Sequence, residues 1–369
     1  MLRQQSDFVL NDPPRIDKVY YNLVIPYTSK DNAGNCIADE RFESEDVILD
    51  KASDFYMSVV RFDIPVSSTP IFFADIQKFP NINRNLTTYS VTMIDSGGNV
   101  TPQTFVEFET TTPNAPLPPV ATAQNPNYPE SLYYSVFTYN VFLNMINKAL
   151  LTCFNSLTVV PPSDPPKMSF DPNSNRFTLH VDPAFFESTL ATPVKIYFNN
   201  NLFSFFEGFS VNYFGRNLPQ GLDEEFIIIE NENLNTVSNL LDITQDYPTI
   251  SSWNSMRSIQ LRSALLNVNN EYVPTGLGST ARSATTPIIA DFIPLFSNNP
   301  GSAVARNTIT YTLNSSYKLI NLLSDRALTK VSLSIFWITE KGTEIPLQLN
   351  YRDVVSCKLL FQRKNTFTG

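Results

Sequence analysis

The chain has 369 residues, of which 42% are hydrophobic and only 17% charged, and it carries a formal net charge of -9. So apolar a composition excludes a disordered chain, and the acidic balance opposes non-specific nucleic-acid binding, which needs Lys and Arg to displace counterions from phosphates. Two β domains are the expectation at this length.

Pro is abundant and Gly scarce, at 27 against 11, so the loops are stiffened by fixed φ. The opening MLRQQSDFVLNDPP holds one Arg and no basic run, which leaves no polybasic arm for a genome. Cys36, Cys153 and Cys357 are widely spaced and the chain has a single His; this predicts free, mostly buried thiols and no zinc site. No apolar run approaches the roughly 18 residues of a membrane helix, and no signal peptide opens the chain. Expression in a cytoplasm is expected, and the Asn85, Asn99 and Asn314 sequons then carry little meaning.

In chain order, residues 1–16 read as an extended arm, and Val19 to Ile25 alternates as a first strand ending at Pro26. The loop from Tyr27 to Asp54 gathers Asp39, Glu40, Glu43, Glu45, Asp46, Asp50 and Asp54. Their spacing lacks the alternating acids, Gly and closing Glu of an EF-hand, so a solvated acidic face is expected. Phe55 to Ile64 is apolar on both faces and reads as a central strand. Thr87 to Ile94 and Thr104 to Phe108 flank the turn Asp95-Ser96-Gly97-Gly98-Asn99 as a hairpin. Thr110 to Pro129 is Pro-rich and forms no regular element.

One long helix is predicted, about Phe137 to Leu157. Phe142, Met145, Ile146, Ala149, Leu150 and Cys153 recur at helical spacing, which suits a helix covering the end of a sandwich. Strands follow at Lys167 to Phe170, Phe177 to Val181 and Lys195 to Phe198, and a helical turn over Asn201 to Phe206. The sole histidine, His180, has no second His or Cys to make a metal site and no nearby nucleophile, so no catalytic or metal role is assigned. Gly215 to Gly221 reads as a linker, dividing a first domain at 17–215 from a second at 222–365. Beyond it, strands are expected at Phe226 to Ile229, Trp253 to Leu261, Ile288 to Ile293, Thr308 to Leu313 and Tyr317 to Leu323, with a long loop over Val273 to Pro287.

The closing stretch, Lys330 to Gln362, has three apolar-alternating limbs. Val331, Leu333, Ile335 and Trp337 share one face; Ile345, Leu347 and Leu349 return on the same face after the turn Glu340 to Thr343; Val355, Cys357, Leu359 and Phe361 make the third. This reads as an antiparallel meander that must lay its apolar face on a second sheet. Phe336, Ile338 and Leu360 fall on its other face, where a partner surface is expected to cover them. Phosphate loops, dinucleotide-binding turns, nucleophile elbows, HExxH and paired-cysteine spacings are absent, so no catalytic, cofactor-binding or metal residue is assigned and no enzyme activity is expected.

The strand at Phe55 to Ile64, the helix at Phe137 to Leu157 and the closing strands of Lys330 to Gln362 together resemble the double jelly-roll major capsid proteins of double-stranded DNA viruses and of related virophage- and polinton-like elements. The resemblance implies an all-β fold of two jelly-roll sandwiches, homotrimers forming pseudo-hexameric capsomers of an icosahedral shell, contacts with penton and minor capsid proteins, and residence in a virion assembled in a host cytoplasm. Two alternatives stay open: a single jelly-roll penton or spike protein, set apart by fivefold assembly, and a β-sandwich carbohydrate-binding protein, set apart by a carboxylate-lined groove.

Overall fold

The computed structural model describes residues 18–26, 37–41, 47–75, 89–109, 133–211, 216–217, 224–227, 234–235, 240–253, 256–273, 284–293, 308–312, 318–339, 344–347, 349 and 352–364. The Pro-rich stretch at 110–129, the arm at 1–16 and most of the acidic loop lie outside them. Every strand pairing among the described residues is antiparallel, and the strands enclose two hydrophobic cores. The fold is two jelly-roll β-sandwiches with one long helix.

The first sandwich is built from both ends of the chain. In one sheet, Lys18–Pro26 pairs along its whole length with the closing strand Val354–Arg363, which pairs in turn with Phe55–Pro65; Thr308–Thr312 and Ile320–Asn321 lie on the far side of Phe55–Pro65. The facing sheet runs Ile288–Phe292, Met256–Arg262, Lys330–Thr339, Ile37–Arg41, with Glu344–Pro346 also on Lys330–Thr339. The alternation read from the sequence sets the filling: Leu23, Ile25, Met57, Val59, Leu333, Trp337, Leu359 and Phe361 all point into one core. Phe55–Pro65 is central, as its two apolar faces require.

Three readings of this half need correction. The third limb of the closing stretch does not continue a meander: Lys330–Thr339 and Glu344–Pro346 form a hairpin in one sheet, while Val354–Arg363 crosses to the other. Period-2 patterning fixes which side chains face the core, and it is the same whichever sheet supplies the strand. Second, Ile338 and Leu360 are 6% and 1% exposed within the single chain, and half-buried Phe336 is capped by the Arg262 guanidinium, 4.6 Å from its ring centroid, so these side chains do not await a partner. Third, a strand, Ile37–Arg41, lies within the expected acidic loop.

The second sandwich is inserted between Pro65 and Met256. One sheet runs Arg216–Asn217, Glu224–Ile227, Lys195–Asn199, Ser90–Ile94, Thr104–Phe105, and the other Leu234–Asn235, Leu240–Thr244, Arg176–Val181, Lys167–Asp171. Phe72–Asp75 pairs with Tyr133–Val136 beside them. The division expected at 215/222 is therefore wrong: the cores separate as 72–253 against 23–64 plus 256–361, and the supposed linker contains a strand, Arg216–Asn217, paired with Glu224–Ile227. Trp253, expected to open a strand, instead follows a short 3-10 turn, Ile250–Ser252, and lies in the second core. Local composition reports a flexible-looking stretch but not that the chain's two ends pair with each other. Where the chain leaves the first sandwich, Ser67 and Ser68 donate to Asp353 at 2.6 and 2.5 Å, tying the crossover to the loop before the closing strand.

The helix runs Tyr139–Asn155, with Thr138 as its N-cap accepting from Val141 N–H, an arrangement that satisfies one of the four orphan amides. All six residues at the predicted spacing are buried. The helix lies on Lys167–Asp171 from one sheet and Ser90–Ile94 from the other, closing the side of the sandwich. Lys167–Asp171 ends its sheet, and Asn147 covers that edge, its Nδ2 donating to Met168 O at 2.9 Å and its Oδ1 accepting from Met168 N–H at 2.7 Å. An open edge is a template for wrong pairing. Asn147→Ala leaves two backbone groups without their partner and is expected to cost about 1–3 kcal/mol, read from urea unfolding.

Candidate functional site

The absences expected from the sequence leave little conventional chemistry to place. Among the described residues no group of three or more His, Cys, Asp or Glu is arranged to hold a metal ion. Cys153 and Cys357 are buried and in no disulfide, and burial, with the neighbouring Asp63 carboxylate, pushes the Cys357 thiol up to about 12, away from the thiolate that is the reactive form. A cleft lined by Leu266, Leu322 and Leu328, with Arg326 and Lys330 among its polar residues, has a volume of only about 190 Å³, below the roughly 300–1,000 Å³ of ordinary ligand sites.

Two polar networks hold loops in place. In the hairpin turn, Asp95 accepts from the N–H groups of Gly97, Asn99 and Val159 and from the Asn99 side chain. Burial raises its carboxyl, but the hydrogen bonds prevail and hold it below the usual carboxylate range. Gly98 sits at φ +81°, a conformation that Gly takes without strain. On the first sandwich, Arg262 makes a bidentate pair with Glu344 at 2.7 Å for both bonds and donates to Gln260 as well. In each network one link, Asp95 to Val159 and Arg262 to Glu344, joins residues that sequence spacing alone does not connect.

The lone histidine is less isolated than its sequence neighbours suggest. His180 Nδ1 lies 2.7 Å from Asp242 Oδ1, and its Nε2 lies 2.7 Å from Ser169 Oγ. The three residues come from adjacent strands, Leu240–Thr244, Arg176–Val181 and Lys167–Asp171, with Asp242 directly opposite His180 and Ser169 opposite Thr178, two residue pairs along. They share the outer face of their sheet; the His180 and Asp242 side chains are 26% and 22% exposed. The expectation that no nucleophile stands near His180 is corrected. Asp171 tightens the turn after Ser169 by accepting from Asn173 N–H and Ser174, and the returning strand brings His180 back beside the hydroxyl. A motif search misses this because the pairing register, not a local spacing, makes it.

Several large apolar side chains remain open to solvent, among them Val100, Val159 and Val160 near the Asp95 turn and Tyr20 and Val24 on the first strand. Comparisons with known proteins give these surfaces a context. Structural protein V19 of the Sputnik virophage is 31% identical over 206 residues, which is 53% of this chain and 93% of that protein. The uncharacterized protein V18 of the same virophage is 36% identical over 159 residues, 42% of this chain and 94% of that protein. A chain in the 3.5 Å cryo-EM structure of the Sputnik virophage superposes with a TM-score of 0.69 at 31% identity, covering 95% of this chain and 99% of its own. The mavirus penton protein shares the fold, with a TM-score of 0.59 at 19% identity over 94% of this chain and 99% of its own. The family described as Sputnik minor capsid protein V18/19 matches residues 19–363, a span holding both cores and the crossover between them, and this chain belongs to that family of viral capsid structural proteins.

Proposed function

We propose that this chain is a penton-type minor subunit of a virophage-like capsid, in which the first sandwich sits in the shell and the inserted sandwich projects from it. The single observation that carries the reading is the nesting: the first core is made from residues 23–64 and 256–361, the second from 72–253 between them. A trimeric pseudo-hexameric capsomer rests on two equivalent sandwiches placed side by side in sequence and on apolar side chains left for a partner. Here one sandwich interrupts the other, and Ile338 and Leu360 are covered within the chain. The family description as a minor capsid protein agrees. Each core is one domain in this reading, the outer discontinuous and the inner continuous. Synthesis in the host cytoplasm, assembly with other capsid proteins, a structural role in the shell and no binding of duplex DNA belong to the same proposal, the last because of the net charge of -9.

Native mass spectrometry of the purified chain at tens of micromolar tests it. Pentamers, or monomers that become pentamers on mixing with capsid components, are expected. A stable trimer restores the major-capsid reading.

A further inference from the structure

The structural role leaves Ser169, His180 and Asp242 unexplained. We propose that Ser169 is an activated nucleophile that takes the acyl group from small carboxylic esters with good leaving groups. The connectivity is that of a general-base relay: a hydroxyl on the imidazole Nε2 at 2.7 Å and a carboxylate on Nδ1 at 2.7 Å, so that the carboxylate holds the neutral ring with Nδ1–H toward Asp242 and Nε2 open to the hydroxyl proton. Three side chains on three paired strands are held more rigidly than three on loops. Ser169 is half-buried, and the pair behind it is 26% and 22% exposed, so the hydroxyl is reachable from solvent.

The register also leaves one backbone N–H next to Ser169 outside the strand ladder. Met168 gives both its N–H and its C=O to Asn147 rather than to the neighbouring strand, so Met168 and Leu179 form a pair whose backbone groups point away from each other. Two residues on, Phe170 opposite Phe177 repeats that orientation, and its N–H, directly after the nucleophile, points off the edge of the sheet, away from Arg176–Val181. An open face with no oxyanion hole among the described contacts, and with Lys167 opposite His180, restricts the reaction to esters whose leaving group departs easily and does not select among acyl groups.

In the step itself Ser169 Oγ bonds to the acyl carbon while its proton passes to His180 Nε2. The tetrahedral oxyanion then collapses, breaking the bond to the alcohol oxygen, which leaves with the proton from His180. Acyl-Ser169 remains, and a water activated by the same imidazole hydrolyses it to the carboxylic acid and the free hydroxyl.

The full chain is treated with an alkyl fluorophosphonate and mapped by mass spectrometry, with p-nitrophenyl acetate turnover measured alongside. One adduct at Ser169 is expected, absent in Ser169→Ala and formed about 10²-fold more slowly in His180→Gln, the usual loss with a general base. Labelling of Ser169 is also expected to vanish in urea, a comparison that needs no variant to fold. A wild-type chain with no adduct at Ser169, or an adduct formed equally fast in His180→Gln or in urea, overturns the proposal and leaves the three residues as a polar staple across the sheet.

Discussion

Replacing Trp253 by Ala is expected to cost about 3–5 kcal/mol, a large part of the roughly 5–15 kcal/mol that holds a domain folded. The indole is 1% exposed and lies against six other rings. Phe177 stacks on it at 4.9 Å with 5° between planes, while Phe72, Tyr139, Phe142, Phe205 and Phe206 approach it between 4.9 and 5.7 Å, mostly edge-on. Those are the arrangements that the ring quadrupole favours. The indole N–H donates to Phe205 O at 2.9 Å, but that carbonyl also accepts from Thr249 Oγ1 at 2.6 Å, so truncation leaves it a partner. The loss is therefore one of packing and cavity rather than of an orphaned polar group. Urea unfolding followed by far-UV circular dichroism measures it, and a loss below about 1 kcal/mol contradicts the described core.

Trp337→Ala is expected to cost a similar 3–5 kcal/mol in the other sandwich. Trp337 is 1% exposed and stands directly opposite Ile259 on one side and Ile345 on the other, so its removal opens a void between the two sheets that neither neighbour is long enough to fill. The two tryptophans belong to separate clusters. Sites without shared partners add to within about 0.5 kcal/mol, so the double variant is expected to lose the sum of the two single losses. A coupling well above that margin contradicts two cores.

How much of this the sequence carries depends on whether a feature is local. The helix, the hairpin around Asp95, the strand Phe55–Pro65 and the apolar faces of the closing stretch are set by spacing over a few residues, and they stand where the periodicity put them. Sheet membership is set by pairing across the chain. Lys18 lies opposite Gln362 and Met57 opposite Phe361, and nothing in the neighbourhood of either residue signals it, whereas the Gly- and Pro-bearing stretch at 215–221 carries the local signs of a boundary. The same blindness hid the site around His180. Ser169 is eleven residues away and Asp242 sixty-two, and each becomes a neighbour only through strand register.

The central claim, a penton-type subunit with one sandwich nested in the other, is tested most directly by cryo-EM of icosahedral particles that contain this chain. The account predicts five copies around each fivefold vertex, the sandwich of Lys18–Pro26 and Val354–Arg363 in the shell and the sandwich of the helix Tyr139–Asn155 raised above it. Density for this fold in threefold capsomers across the faces, with the vertices occupied by another protein, would contradict it.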